Sequence, residues 1–300
     1  MRRLWIGFFG VLLAACSNAP QSSEVGAQAL RPAGSPDVAI FVVSGRCGVG
    51  TCSAPEQNWD YLGPQGTGQA VAQAFQALGY STQVYSYSAH LRSHYSSISR
   101  KTEPGFLELE AQFKAVLQNW VNGFSNPTRI VLVGHSHGTN WTHNLTRIYS
   151  AVRFAYVIDL DGICYLWEDD NAPYFRDYYA QNGNPWGVDI SDSCDAIPVK
   201  RWYGTSYYNA KDVAFANTTY NLEVQSKRVF LRREGQQNGD VEPQGETNFA
   251  YDYTANRRTN GSTTGIYTYV SSSEGHNQVD EPGSQAVAWV KSQIQRLGLP

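Results

Sequence analysis

Charge is scarce in this chain. Only 16% of its 300 residues are Asp, Glu, Lys or Arg, and 23 Lys+Arg against 26 Asp+Glu leave a formal net charge of −3. A nucleic-acid partner calls for a basic excess that is missing, so none is expected. Metal-binding spacings are missing too. There is no CxxC pair and no HExxH, and the six histidines are scattered apart from His135 and His137, which leaves no metal site to expect. No internal repeat is visible, and the apolar run Leu4 to Leu13 is too short to span a bilayer comfortably. What the chain does hold is a 42% hydrophobic share with 19 Tyr, 8 Trp and 12 Phe. That composition excludes a wholly disordered protein, and the length allows one large domain or two ordinary ones with a sizeable core.

The N-terminus runs Met1-Arg2-Arg3, then the apolar stretch, then Ala14-Ala15 before Cys16, the order of an export signal. Its ending, Leu13-Ala14-Ala15-Cys16, resembles the lipobox of bacterial lipoproteins. The resemblance implies cleavage before Cys16, lipidation of Cys16 and anchoring in the cell envelope. Ser17 in place of an Asp favours the outer membrane where a cell has two; an ordinary secretory signal is the alternative. Residues 17–36 are rich in Ser, Ala, Pro, Gly and Gln and read as a flexible tether. The expected organisation is a signal over 1–15, a tether over 16–36 and a single folded domain over 37–300. Export to an oxidising compartment favours disulfides. Of three possible connectivities, local pairing of Cys47 with Cys52 and of Cys164 with Cys194 is preferred.

Val38 to Val43 is a continuous β-branched apolar run, suited to a strand buried on both faces. A helix is expected over Gly66 to Leu78, a strand over Ser81 to Ser88, an irregular polar stretch over 89–104 and a second helix over Phe106 to Val121. Arg129 to Val133 is another buried-strand run, followed by Gly134-His135-Ser136-His137-Gly138, a helix over Thr139 to Ser150 and a strand over Phe154 to Ile158. The alternation predicts an α/β architecture, a mostly parallel sheet with helices on both faces. Residues 163–195 interrupt it with a long aromatic stretch read as a cap or insertion. Val199 to Tyr203 is expected to resume the strands, Lys227 to Arg233 with Phe249 to Tyr253 to form a hairpin insertion, Gly265 to Val270 to be the last strand and Ser284 to Leu297 the terminal helix.

The pattern G-x-S-x-G between a buried strand and a helix carries the chemistry. It needs small residues around a serine forced into a tight turn, with the first amides of the helix facing any oxyanion formed beside it. Here Gly134 and Gly138 flank Ser136. The pentapeptide resembles the nucleophile elbow of α/β-hydrolase fold lipases and esterases, and the order of elements is similar from Asp37 to Pro300. The resemblance implies Ser136 as nucleophile, then an acid, then a histidine along the chain. His276, after the last apolar strand, fits the histidine. Asp159, at the end of the strand FAYVI, is the preferred acid, Asp161 its main rival, with Asp212 and Asp240 behind them. The expected oxyanion donors are the backbone amides of His137 and Arg46, with Ser44 standing where the family often has histidine. His135 and His137 are read as packing groups or as supports behind the catalytic residues, His90 and His94 as solvated loop residues, and His143 as structural.

These readings imply a serine carboxylic-ester hydrolase, lipase- or carboxylesterase-like, working through an acyl-enzyme without a cofactor. Its partners would be a small-molecule or lipid ester and, through the anchor, a membrane. An amidase or thioesterase is the nearest enzymatic alternative, because the same apparatus attacks those acyl groups. A surface-anchored binding protein on an inactive hydrolase scaffold is the alternative from another class. The cap aromatics Tyr165, Trp167, Tyr174, Phe175, Tyr178, Tyr179 and Trp186 would serve substrate binding, cap packing or both.

Overall fold

The computed structural model describes residues 28–47, 54–227 and 254–300. The export signal, Cys16, Cys52, Asp240 and nearly all of the expected hairpin between Lys227 and Tyr253 lie outside the described residues. Along the chain run β1 (Val38–Val43), α1 (Leu62–Gln65), α2 (Thr67–Gln76), β2 (Thr82–Tyr87), β3 (His94–Ser96), β4 (Lys101–Glu103) and α3 (Phe106–Val116). Then come β5 (Arg129–His135), α4 (Gly138–Ile148), β6 (Phe154–Leu160), α5 (Trp167–Asn182), β7 (Ile197–Arg201), β8 (Gly204–Tyr208), β9 (Thr218–Gln225), β10 (Ile266–Val270) and α6 (Gln285–Leu297).

Six of the strands form one parallel sheet in the order β10-β9-β6-β5-β1-β2. The continuous apolar runs follow from helices lying on both of its faces. Ala39, Phe41 and Val43, with Leu132, pack against Phe106, Phe113 and Trp141 of α3 and α4. Val38, Ile40 and Val42, with Val131 and Val133, pack against Val71, Phe75, Val290 and Ile294 of α2 and α6. Alternate residues of one strand thus feed two cores. β1 lies between β2 and β5, so the chain reverses its direction of travel across the sheet there. In parallel sheets the crevice at that reversal, beyond the carboxyl ends of the strands, is the usual ligand site.

Several local expectations change. The stretch 89–104 contains the small antiparallel pair β3–β4, and His90 is buried rather than solvated. The helix over 106–121 is two pieces: α3 passes into a π turn, Leu117–Val121, which accounts for its mixed apolar spacing. Val199 to Arg201 does form a strand, but outside the main sheet. β7 pairs antiparallel with β8, and Trp202 at their turn is 93% exposed. The sheet continues instead through β9, whose sequence TTYNLEVQ hides its place because Asn221, Glu223 and Gln225 are buried by hydrogen bonding.

The 163–195 insertion holds α5, closed by the Cys164–Cys194 disulfide. Its aromatics mostly pack. Trp167 and Phe175 lie with their ring centroids 5.1 and 5.6 Å from Trp141, and Trp186 lies 5.9 Å from Phe106. Tyr165 stays half exposed. Because the bridge closes a loop of 30 positions, Cys164→Ser/Cys194→Ser should lower unfolding free energy by about 2–4 kcal/mol, measured by denaturant titration. An unchanged midpoint would mean that α5 is held by its aromatic packing alone.

Candidate active site

Ser136 sits where β5 gives way to α4, and the turn is tight because the layers around it leave no room. A Cβ on Gly138 would lie 2.1 Å from the Val43 carbonyl oxygen, and one on Gly134 would lie 2.7 Å from the backbone of Thr139. Ser136 takes φ 55°, left-handed for a residue with a Cβ, a conformation that costs energy and concentrates at functional turns. Its peptide groups hold it there. The Ser136 N–H donates to Leu160 O (3.1 Å), and its carbonyl accepts from the Thr139 hydroxyl (2.6 Å) and the Ile163 N–H (3.3 Å).

His276 lies in the loop between β10 and α6, at the same end of the sheet. Its ring rests against that of His135, the residue before Ser136, with centroids 4.5 Å apart. The loop is anchored from the helix side. The Glu274 carboxylate accepts the Gln285 N–H (2.5 Å) and Ala286 N–H (3.1 Å) at the start of α6, whose N-cap Ser284 accepts the Val287 N–H.

The acid partner differs from the expected one. His276 Nδ1 is 2.6 Å from Asp161 Oδ2, and Asp159 is engaged elsewhere. Asp159 is still inside β6, and its carboxylate accepts from His143 Nε2 of α4 (2.8 Å), Asn221 Nδ2 (2.6 Å) and Asn256 Nδ2 (2.9 Å). Those donors hold it away from the imidazole of His276. Asp161 is the first residue beyond the strand, with φ 50°, and turns outward. Its N–H donates to Val224 O, and its other carboxylate oxygen accepts the Ser226 N–H (2.7 Å). Burial works to raise its pKa, but the bonds from His276 and Ser226 outweigh burial and hold it below the usual carboxylate value. Asp161 is therefore an anion at neutral pH. Since a carboxylate only accepts, the proton of a neutral His276 sits on Nδ1, which makes Nε2 the acceptor nitrogen of the ring.

His143 is structural, as expected, in a specific way. Both of its ring nitrogens face acceptors, Nδ1 the Val213 carbonyl (3.0 Å) and Nε2 Asp159, so both carry protons and the ring is a cation. Burial opposes the charge, but Asp159 and the Val213 carbonyl prevail and raise its pKa above the ordinary imidazole value. Asp212, the third candidate acid, is paired with Lys211 beside a small polar pocket that Asp159 and Asp161 also line.

The expected oxyanion amides belong to residues whose side chains are both tied to the cap. Arg46 forms an ion pair with Asp170 of α5, and His137 Nε2 donates to Tyr165 O (2.7 Å). Burial drives the His137 pKa down to about 3, so its ring is neutral and its role at this contact is purely that of a donor. The neighbouring Gly45 N–H is spent on Tyr61 Oη (2.7 Å). Among the described residues neither the Arg46 nor the His137 backbone N–H meets a protein acceptor. The expected Cys47–Cys52 pairing involves Cys52, outside the described residues.

No protein-family model matches the chain, and no curated protein matches it. Solved structures do show similarity. Est1E from Butyrivibrio proteoclasticus aligns at 10% identity and a TM-score of 0.37, covering 91% of this chain and 88% of that one. The same protein with ferulic acid bound aligns at 12% identity and a TM-score of 0.35, covering 89% and 91%. A structure from the metagenome-derived lipolytic enzymes LipS and LipT aligns at 13% identity and a TM-score of 0.39, covering 89% and 98%.

The two aspartates should separate by experiment. Asp161→Asn should cost about 10⁴-fold in kcat on an ester substrate by favouring the wrong imidazole tautomer. Asp159→Asn should leave kcat within about tenfold and cost about 3–5 kcal/mol of stability by stranding a buried cation. The reverse pattern in kinetics and denaturant titration would restore Asp159 as the acid. The His143 shift also fixes a sign. Its folded pKa is raised, so its contribution to stability is complete below the unfolded value of about 6.5 and is lost as pH rises through the folded value. Thermal melts should show the wild type losing stability on the alkaline side, with that component absent in His143→Gln.

Proposed function

We propose that this chain is a serine hydrolase of carboxylic esters with the α/β-hydrolase arrangement, lipase- or carboxylesterase-like, acting through an acyl-enzyme. The observation that carries the reading is Ser136 at a left-handed φ on the β5–α4 turn, with a histidine–carboxylate pair at the same end of the sheet. In this reading Ser136 Oγ attacks the ester carbonyl as His276 Nε2 takes its proton, and Asp161 stabilises the imidazolium that forms. The amides of Arg46 and His137 hold the oxyanion. His276 then gives the proton to the departing alcohol. A water deprotonated by the same nitrogen attacks the acyl-enzyme, and collapse returns Ser136 with the acid as product. All of these groups are supplied by the chain, and its substrate is a small-molecule or lipid ester. Lipidation at Cys16 would hold the enzyme at the cell envelope, at the outer membrane where two are present.

Turnover of a p-nitrophenyl ester series by the protein, with labelling by a fluorophosphonate probe, tests the chemistry. Ser136→Ala should lower kcat by about 10⁴-fold or more and abolish labelling. Preference along the acyl series reports the shape of the space that receives the acyl group. Hydrolysis of the matching anilides or thioesters at higher kcat/KM would shift the reading to an amidase or thioesterase. Absence of both turnover and labelling would leave the binding-protein reading in its place.

A further inference from the structure

We propose that His135 is a positioning residue that fixes the backbone at His276 and links it, through Tyr61, to the loop carrying the Arg46 amide. The inference rests on the triad reading above and adds to it a residue that never meets the substrate.

The directions of the hydrogen bonds can be worked out along the link. His135 Nε2 lies 3.0 Å from the carbonyl oxygen of His276; a carbonyl accepts, so Nε2 carries the proton. Burial lowers the His135 pKa, and a neutral ring with its proton on Nε2 presents a lone pair at Nδ1. Tyr61 Oη meets that lone pair and must donate its hydrogen there. Burial, with Asp280 and Asp60 adding to it, also raises the Tyr61 pKa well above its ordinary value, which keeps the phenol protonated. Tyr61 Oη in turn accepts the Gly45 N–H at 2.7 Å. The chain runs in one sense, from Gly45 N–H to Tyr61 O–H to His135, and from His135 Nε2–H to His276 O. Each group is used in the one role open to it.

The two ends of this chain are the places where catalysis is sensitive to position. Gly45 precedes Arg46, and a Cβ on Gly45 would lie 2.4 Å from Ser136 Cβ, so the loop and the nucleophile are in contact. At the other end the bond falls on the carbonyl of His276 itself, and the two imidazoles lie in contact with their planes 32° apart. The far side of the histidine loop is held independently. Asp280 O accepts from the Thr67 hydroxyl (2.5 Å), and its carboxylate accepts from Gln65 Nε2 (2.9 Å). Without His135 the loop keeps its tethers at 274 and 280 and the Asp161 bond to the imidazole, and loses the one on the His276 carbonyl. A shift of that peptide moves Nε2 relative to Ser136, and displacements near 1 Å cost about 10²-fold in rate.

Three variants of the full chain test this. His135→Phe keeps a ring in that contact and removes both hydrogen bonds. His135→Gln retains a donor able to reach His276 O, and Tyr61→Phe removes the middle hydroxyl. On a p-nitrophenyl ester, His135→Phe should lower kcat about 10- to 100-fold with KM within about twofold, and slow fluorophosphonate labelling by the same factor. His135→Gln should recover part of that loss. Tyr61→Phe should also lower kcat, and the double variant His135→Phe/Tyr61→Phe should be no slower than the slower single, as expected of residues acting in one link. If His135→Phe does not fold, Tyr61→Phe carries the test alone, with an unchanged kcat counting against the link. A folded His135→Phe with wild-type kcat, or fully multiplicative effects in the double variant, overturns the proposal while Ser136→Ala still abolishes turnover. Turnover surviving in Ser136→Ala overturns the triad reading beneath it.

Discussion

The contact between the start of α4 and the end of β1 governs the rest of the molecule. At Gly138 the helix backbone comes so near the Val43 carbonyl that no side chain fits between them, and this proximity lets a strand pass into a helix within two residues. The chain makes that turn by placing Ser136 in a left-handed conformation, which costs about 1–3 kcal/mol and persists only because the surroundings over-determine it. They do so from three sides: the Ser136 peptide is bonded to β6, to α4 and to the first residues of the cap. The strain is therefore supported by the same layers that form the core. A serine hydroxyl at the carboxyl end of the sheet, beside the β1–β5 reversal, is its consequence.

Two carboxylates two residues apart show how little separates one locked inside the sheet from one that meets His276. Asp159 and Asp161 both leave the end of β6, but one remains in register with its neighbours and the other is past the last pair. The carboxylate inside the sheet is closed in by His143, Asn221 and Asn256, a network whose buried charge is neutralised within itself. Such a network stabilises only when every member is satisfied. With its acceptor capacity taken up, Asp159 is no base partner for a mobile imidazole. Asp161, bonded to one backbone amide and one histidine, keeps the simpler environment that holds a carboxylate ionised and directs an imidazole.

How far the sequence foretold this depends on which forces leave a mark in it. β1, β5, β6, α2, α4 and α6 were legible because burial on both faces, or on one helical stripe, writes itself as apolar spacing. The G-x-S-x-G turn was legible because steric crowding dictates its glycines. β9 was not, since its buried Asn221 and Glu223 bond to β6, β10 and Asn256, and Gln225 to Glu223 within the strand, so that its sequence mimics a solvent-exposed one; β7 was misplaced because an apolar β-branched stretch does not say which sheet it joins. Asp161 was weighed but ranked second, for the choice lies in donors supplied by α4, β9 and Asn256. Tyr61 left no signal at all. Its partner His135 is 74 positions away, and the next contact, from His135 to His276, spans 141 more.

The side chains of the two residues expected to supply oxyanion amides are both bonded to the cap. Arg46 is paired with Asp170, His137 with the Tyr165 carbonyl, and both cap residues lie within the loop closed by Cys164 and Cys194. A neutral imidazole donor and a half-buried ion pair are unequal fasteners: the first is insensitive to salt, while the second is weakened by it. Amide orientation at residue 137 is also set by the helix that follows, whereas residue 46 stands in a loop. The cap therefore meets the β1 loop through an ion pair at Arg46 and the start of α4 through the imidazole of His137. The β1 loop is also the one that Tyr61 and His135 join to the backbone of His276, so cap and histidine loop both contact the Gly45-Arg46 segment.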